Sequence, residues 1–219
     1  MTKNDPTYDK LTGLLKREMF EAEFATRISQ ANEHRYPLTL AMVDLDSFLK
    51  INQDHGQKGG DEVLRVLAAT LRSNVSDETL VFRFGGDEFI LLFLDTSREQ
   101  AFLSMERIRG EMEQRETYGE AEIQATISVG IASCPVDGNA ADELLRKADQ
   151  ALYRAKLAGS NQVLLAQDER MVPKTTHYTE TQLERLSSLA EEMEIKEARL
   201  LREALDDVIK KYKLTGIEN

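Results

Sequence analysis

The chain has a nearly unbroken apolar run, LTLAMVDL, at residues 38–45, and another, FILLFL, at residues 89–94. Continuous apolar character over a short run, rather than strict alternation, is what a strand covered on both faces shows. Each run meets acids at one end: Asp44 and Asp46 close the first, and Asp87 and Glu88 precede the second. The stretch FRFGGDEFILLF at residues 82–93 reads as strand, glycine turn, strand. Helical spacing takes over elsewhere. Residues 19–31 form one candidate helix; a second starts at Gly60 with Val63, Leu64, Leu67 and Leu71 on one side. Residues 96–116 place Phe102, Met105, Ile108 and Met112 together, and residues 140–158 form a helix that Gly159 would stop. Residues 124–134 read as a strand with Gly130 inside it, a sign of a bulge or a close backbone approach, and residues 163–166 as an edge strand.

Strands alternating with helices, with one pair joined by a hairpin, predict an α/β (α+β) fold: a mixed central sheet flanked by helices. The pattern changes near residue 171. Beyond it come a short polar strand at 174–179 and helices at about 180–193 and 196–211, with apolar positions that include Leu183, Leu186, Leu189, Leu200, Leu201, Leu205 and Ile209. Two short helices bury little by themselves, so this segment is expected to need a partner. The predicted division is 1–170 and 171–219.

Composition narrows the class. At 219 residues, 41% hydrophobic and 31% charged, the chain is that of a globular protein with one main domain and an appendage. No apolar run approaches the roughly 20 residues that span a bilayer. The opening MTKNDPTYDK has no apolar core of an export signal, so a cytoplasmic location is expected and no membrane partner. Cys134 is the single cysteine, which excludes an intramolecular disulfide and suits a reducing compartment. A net charge of −11 repels nucleic acid and acidic lipid, so an anionic substrate calls for a metal ion.

The chemistry gathers at the acids. Gly85 and Gly86 suit a tight turn through positive φ. Asp87 and Glu88 taken alone could be solvated turn residues, just as Asp61 could be a helix N-terminal acid and Asn52 a turn residue. Their occurrence with Asp44 and Asp46, followed by a loop containing Asn52, Gly56 and Gly60, favours a shared site. Carboxylates at a strand end suit a hard cation such as Mg²⁺, which prefers oxygen ligands and often binds phosphates.

These residues resemble the GGDEF family, the diguanylate cyclases. The resemblance runs from DKLTGL at 9–14 through DLDSF at 44–48, Asn52, Gly56, Gly60 and Asp61, RFGGDEF at 83–89, SVGIA at 128–132 and ADQALYRAK at 148–156. It implies a nucleotide-cyclase-like fold and condensation of two GTP into cyclic di-GMP with release of pyrophosphate, each subunit presenting one GTP. It also implies that Asp44, the Leu45 carbonyl, Asp87 and Glu88 hold Mg²⁺ (Mn²⁺ as the alternative), and that Asp87, with Glu88 beside it, serves catalysis. By the same resemblance Asn52 and Asp61 read guanine, Phe48 and Leu49 offer backbone N–H groups to phosphate, Gly85 and Gly86 leave room for substrate, and Lys156 supplies a phosphate-binding charge. A solvated helix lysine is the plainer account of Lys156.

Several positions depart from the family pattern. Leu49 and Ser160 stand where Lys and Arg are common, which predicts weaker GTP binding or slower turnover. Ser76 and Thr79 stand where the Arg-x-x-Asp product-inhibition motif is common, so feedback inhibition there is expected to be absent. The last segment resembles a ribbon-helix-helix unit, which implies homodimerisation through residues 171–219. That fold also binds DNA, with Lys174, Thr176 and His177 as candidate contacts. Residues 171–219 carry 8 Lys and Arg against 10 Asp and Glu, and Glu194 and Lys196 replace the common Gly and Ser, so dimerisation without DNA is the preferred expectation. The alternative is a DNA-binding transcription regulator that uses a weakly active or silent GGDEF domain as a GTP sensor. A third is a catalytically silent scaffold.

Overall fold

A computed structural model describes residues 7–119, 121–167, 176–192 and 197–213. The chain divides into two compact units, Met1–Glu169 and Arg170–Asn219. Along the first unit run β1 (Leu15–Lys16), α1 (Arg17–His34), β2 (Leu38–Leu45), α2 (Phe48–Ser73), β3 (Leu80–Arg83), β4 (Glu88–Leu94) and α3 (Arg98–Gln114). After them come a small hairpin of β5 (Thr117–Tyr118) and β6 (Ala121–Glu122), then β7 (Ile127–Cys134), α4 (Ala141–Leu157) and β8 (Val163–Leu165). Six strands make one sheet in the order β1-β3-β4-β2-β7-β8, and this sheet is mixed. The central strand β2 is antiparallel to β4 and β7, while the edges β1 and β8 run parallel to their neighbours.

All eight residues of β2 are buried, as its unbroken apolar character requires. Successive side chains leave a strand on opposite faces. Ala41, Val43 and Leu45 therefore join Leu64 and Leu67 of α2 and Met105 and Ile108 of α3 in one core. Leu38, Leu40 and Met42 join Phe20 and Phe24 of α1 and Leu144 and Leu152 of α4 in the other. Asp44 continues this second series and so lies on the α1/α4 side at the strand's end.

Gly130 shows how closely α4 lies on that face. A Cβ there would collide with the Ala148 carbonyl and the Leu152 backbone, so the close approach expected from a glycine in a strand is a helix laid on β7. Cys134, at the end of β7, is buried, and burial pushes its thiol pKa up, which keeps it protonated.

Three features differ from the sequence reading. The stretch from Phe48 to Gly59 is helical, joined to the following helix through a break at Gly56 (φ 69°, ψ 173°). A backbone at positive φ suits glycine, which is why a helix can turn there without a loop. The two-residue strands β1, β5 and β6 are too short to leave a periodic signal. In the second unit, α5 (Glu180–Glu192) and α6 (Glu197–Lys213) match the expected helices closely. Thr179 caps α5: its hydroxyl accepts from Gln182 N–H, and Gln182 Oε1 accepts from Thr179 N–H. The strand expected at 174–179 is not formed by Thr176–Thr179, and Lys174 and Thr175 lie outside the described residues. Strand hydrogen bonds need a neighbour, and in the resemblance that neighbour belongs to a second chain. Among the described residues no helix is long and apolar enough to cross a membrane.

Candidate active site at the end of the central strand

Register brings the acids together. Asp44 of β2 stands directly opposite Glu88 of β4, and Ser128 of β7 flanks it on the other side. Like charges facing each other across a ladder are destabilising. The α4 helix answers with Lys156, whose Nζ lies 2.7 Å from Asp44 Oδ2. Only 8% of the Asp44 side chain is exposed. Desolvation raises its pKa to about 6; the Lys156 hydrogen bond and charge pull the other way, and the charges of Asp87 and Glu88 add to the rise.

The hairpin is fixed by backbone contacts. Phe84 and Gly85 N–H both donate to the Glu88 carbonyl, at 2.8 and 3.1 Å, and Leu45 N–H donates to the Asp87 carbonyl at 3.2 Å. This last bond ties the turn to the end of β2. Neither Gly85 nor Gly86 adopts a positive φ, so the turn does not need glycine for the reason expected from sequence. Gly85 lies against Glu88: a Cβ there would come within 2.7 Å of Glu88 Oε2, the free end of a side chain that can shift. Gly86 is exposed, with nothing near its missing side chain.

Two residues outside the expected site brace this hairpin. Arg83 donates from Nη1 to Asp9 Oδ1 (3.0 Å) and from Nη2 to the Gly86 carbonyl (2.7 Å). Asp9 Oδ1 also accepts from the backbone and hydroxyl of Thr12. Burial works against a charge at Asp9, but the Thr12 bonds and the Arg83 guanidinium hold its carboxyl below the usual range. Phe84 packs edge-on against Phe20 and carries the Arg17 guanidinium 4.5 Å from its ring centre. Asp9 and Arg83 are oppositely charged, but they stand 74 positions apart in the chain and no local spacing could reveal the pair.

A second group lies in α2, just beyond β2. Phe48 and Asn52 are half-buried and converge on Gly60, where a Cβ would collide with Asn52 Oδ1 and lie 3.2 Å from Phe48 Cε2. Asp61 follows Gly60 and is half-buried, whereas Leu49 is 73% exposed. The site residues expected from sequence thus form an acid cluster with Lys156 (Asp44, Leu45, Asp87, Glu88) and a group on the broken helix (Phe48, Asn52, Asp61). Asp46 separates from Asp44: it accepts hydrogen bonds from Thr126, Ser128 and the Asn161 backbone, and so joins strands rather than opening toward the cluster.

Residues 6–162 match the family model described as "Diguanylate cyclase, GGDEF domain". The chain belongs to the GGDEF family. A second model, a ribbon-helix-helix domain, matches residues 172–213. The GGDEF portion is 35% identical over 159 residues to the response regulator PleD of Caulobacter vibrioides, covering 71% of this chain and 35% of that protein. To the diguanylate cyclase DosC of Escherichia coli it is 34% identical over 166 residues, 75% of this chain and 36% of the relative. The chain spans about a third of the length of these curated relatives. The fold matches the crystal structure of the GGDEF domain of DgcB from Caulobacter crescentus in complex with c-di-GMP. There the TM-score is 0.71 at 28% identity, over 76% of this chain and 99% of that one.

Proposed function

We propose that the protein is a diguanylate cyclase: it joins two GTP molecules into cyclic di-GMP, releasing pyrophosphate at each bond formed. The observation that carries this reading is the facing pair Asp44 and Glu88, set beside Asp87 and beneath the Lys156 ammonium. An all-oxygen donor set with excess negative charge fits a hard divalent cation. Among the described residues no three acids, histidines or cysteines are already closed around an ion position, so the fit lies in donor chemistry and charge. Asp44, the Leu45 carbonyl, Asp87 and Glu88 would hold Mg²⁺ or Mn²⁺. When bound, the metal offsets phosphate charge and stabilises the in-line displacement.

The chain's own residues do the rest. Asp87 accepts the proton of a ribose 3′-hydroxyl as its oxygen attacks the α-phosphorus of the second GTP and the bond to the β-phosphate breaks. Lys156 binds the polyphosphate as a point charge. Asn52 and Asp61 read guanine: a carboxylate accepts from guanine N1–H and its amino group, a pair of donors adenine does not offer.

Each active site holds one nucleotide, so two copies must meet. Residues 171–219 supply that contact. Leu183 and Leu189 of α5 and Leu201, Leu205, Val208 and Ile209 of α6 are exposed in the single chain, as they would be before a second copy covers them. DNA is the less favoured partner because the segment is slightly acidic. Sequence-dependent gel shifts on random DNA at physiological salt would reverse that preference.

Incubation with GTP and Mg²⁺, followed by chromatographic and mass identification, should yield cyclic di-GMP. Asp87→Ala should lose about 10²–10⁴-fold in rate, the usual weight of a general base. A dimeric wild type that makes no cyclic dinucleotide would remove the assignment.

A further inference from the structure

Asp46 lies two residues from Asp44, yet the structure commits its carboxylate elsewhere. Oδ1 accepts from Ser128 Oγ at 2.6 Å; Oδ2 accepts from Thr126 Oγ1 at 2.8 Å and from the backbone N–H of Asn161 at 3.0 Å. The Asp46 N–H donates to the Thr126 carbonyl at 2.9 Å. With 8% of its surface exposed, Asp46 is a buried charge satisfied by three donors.

One of those donors leads to Lys156. Asn161 closes the turn Gly159-Ser160-Asn161, whose φ values are 111°, 63° and 52°. Successive left-handed conformations at Ser160 and Asn161 cost energy and persist only where the surroundings hold them. Here the surroundings are Asp46 on the backbone side and α3 on the other: Arg109 Nη1 donates to Asn161 Oδ1 (2.9 Å), and Asn161 Nδ2 donates to Glu113 Oε1 (2.7 Å). The same turn caps α4, since Gly159 N–H donates to the Lys156 carbonyl and Ser160 N–H to the Ala155 carbonyl. Lys156 therefore lies in the last turn of the helix with its carbonyl held by the capping turn, and its ammonium reaches Asp44.

We propose that Asp46 is a positioning residue for nucleotide binding: through Asn161 it fixes the turn after α4, and so holds Lys156 at Asp44, where the polyphosphate is received. The inference rests on the GTP reading above and adds a residue to it. A flexible lysine stem, 41% exposed, has many solvated alternatives. A fixed helix end removes most of them before the nucleotide arrives.

The test uses the full chain with Mg²⁺ and two probes: a GTP analogue whose α,β-bridging oxygen is replaced by methylene, and GMP, which keeps the base but lacks the β- and γ-phosphates. Asp46→Asn removes the charge and leaves one acceptor oxygen, with an NH₂ donor in place of the other, where three donors now converge. It should weaken the triphosphate roughly tenfold, the weight of one charge-assisted contact, and leave GMP unchanged. Lys156→Ala should lose a similar amount, and the double variant should be no weaker than Lys156→Ala alone. Asn161→Gly keeps the backbone bond to Asp46 but loses the side-chain bonds to Arg109 and Glu113, so it loosens the same turn from the α3 side; it should shift binding in the same direction, and serves if Asp46→Asn does not fold. Equal weakening of GMP and the triphosphate, or losses that add in the double variant, would overturn the proposal. A nucleotide-free measurement separates it from the GTP reading: the ¹H–¹⁵N signal of the Lys156 ammonium should be seen in wild type and lost in Asp46→Asn. If wild type bound neither nucleotide, the GTP reading would fall, while an ammonium signal unchanged in Asp46→Asn would sink the positioning role independently.

Discussion

Asp44 and Glu88 face each other across the antiparallel pair β2–β4, two acids in register at the end of two inner strands of a buried sheet. Hydrophobic packing would not select such a pair, and a ladder position shared by like charges weakens the sheet. Its persistence follows if a cation belongs there. Lys156 takes that position in the isolated chain, at 2.7 Å from Asp44.

The Asp44 pKa of about 6 has two consequences of opposite sign. The folded state holds this proton more tightly than the unfolded state, so between about pH 4 and pH 6 the fold loses stability as pH rises, and the loss is complete above the folded pKa. Under the proposed function, metal and nucleotide binding need the carboxylate, so activity should rise through about pH 6 in assays at limiting Mg²⁺. Asp44→Asn should therefore melt higher than wild type at pH 7 while making no cyclic di-GMP. Thermal melts and product assays across pH 5–8 check both; a lower melting temperature for Asp44→Asn would show that the Lys156 contact outweighs desolvation.

Gly130→Ala should be costly although it adds one methyl group. The new Cβ meets the backbone of α4 at Ala148 and Leu152, which cannot swing aside as a side-chain tip can. A stability loss of about 1–3 kcal/mol or more is expected from denaturant titration. Activity should fall further than stability alone accounts for, because α4 also carries Lys156.

Leu49→Lys should improve the enzyme. Leu49 is 73% exposed, so a lysine fits there without repacking. At the start of α2, which the proposed function sets against the phosphates, it should lower the KM for GTP about threefold to tenfold, in line with one partly solvated charge–phosphate contact. An unchanged KM would mean that this helix start does not meet phosphate.

Product should not inhibit through the corner that holds Ser76 and Thr79. Their hydroxyls lie 3.1 Å apart, and Thr79 N–H donates to the Ser76 carbonyl, which leaves two neutral hydroxyls where the motif has an arginine and an acid. Initial rates should stay constant as cyclic di-GMP is added up to the level formed in the assay. Inhibition relieved by changing Ser76 or Thr79 would contradict this.

Much of the site could be read from the chain. The apolar run at 38–45 matches the central strand residue for residue, because a run too short for a typical helix and closed by acids reads as a strand covered on both faces. Acids at its end and at the glycine turn marked the chemistry, and the ordered motifs carried the family. Gly85 and Gly86 are turn residues, as the sequence predicts, but neither takes the positive φ that would demand glycine, and a sequence cannot distinguish a glycine needed for φ from one that is not. Asn52 and Asp61 were placed around a loop that is in fact a helix broken at Gly56. Glycines lower helix propensity without forbidding it, and packing against the sheet decided the outcome.

The sequence by itself determined which segments are buried, where acids and glycines punctuate them, and hence the family and its chemical repertoire. These are local properties, set by side-chain type and period. Only the tertiary structure decided that Asp44 pairs with Glu88 and Lys156 while Asp46, two residues on, is bound by Thr126, Ser128 and Asn161. The two aspartates have the same side chain and share the strand's end. Strand register and the helix end laid over them give each a different set of neighbours, and those neighbours lie about 40 to 115 residues away, beyond the reach of local spacing.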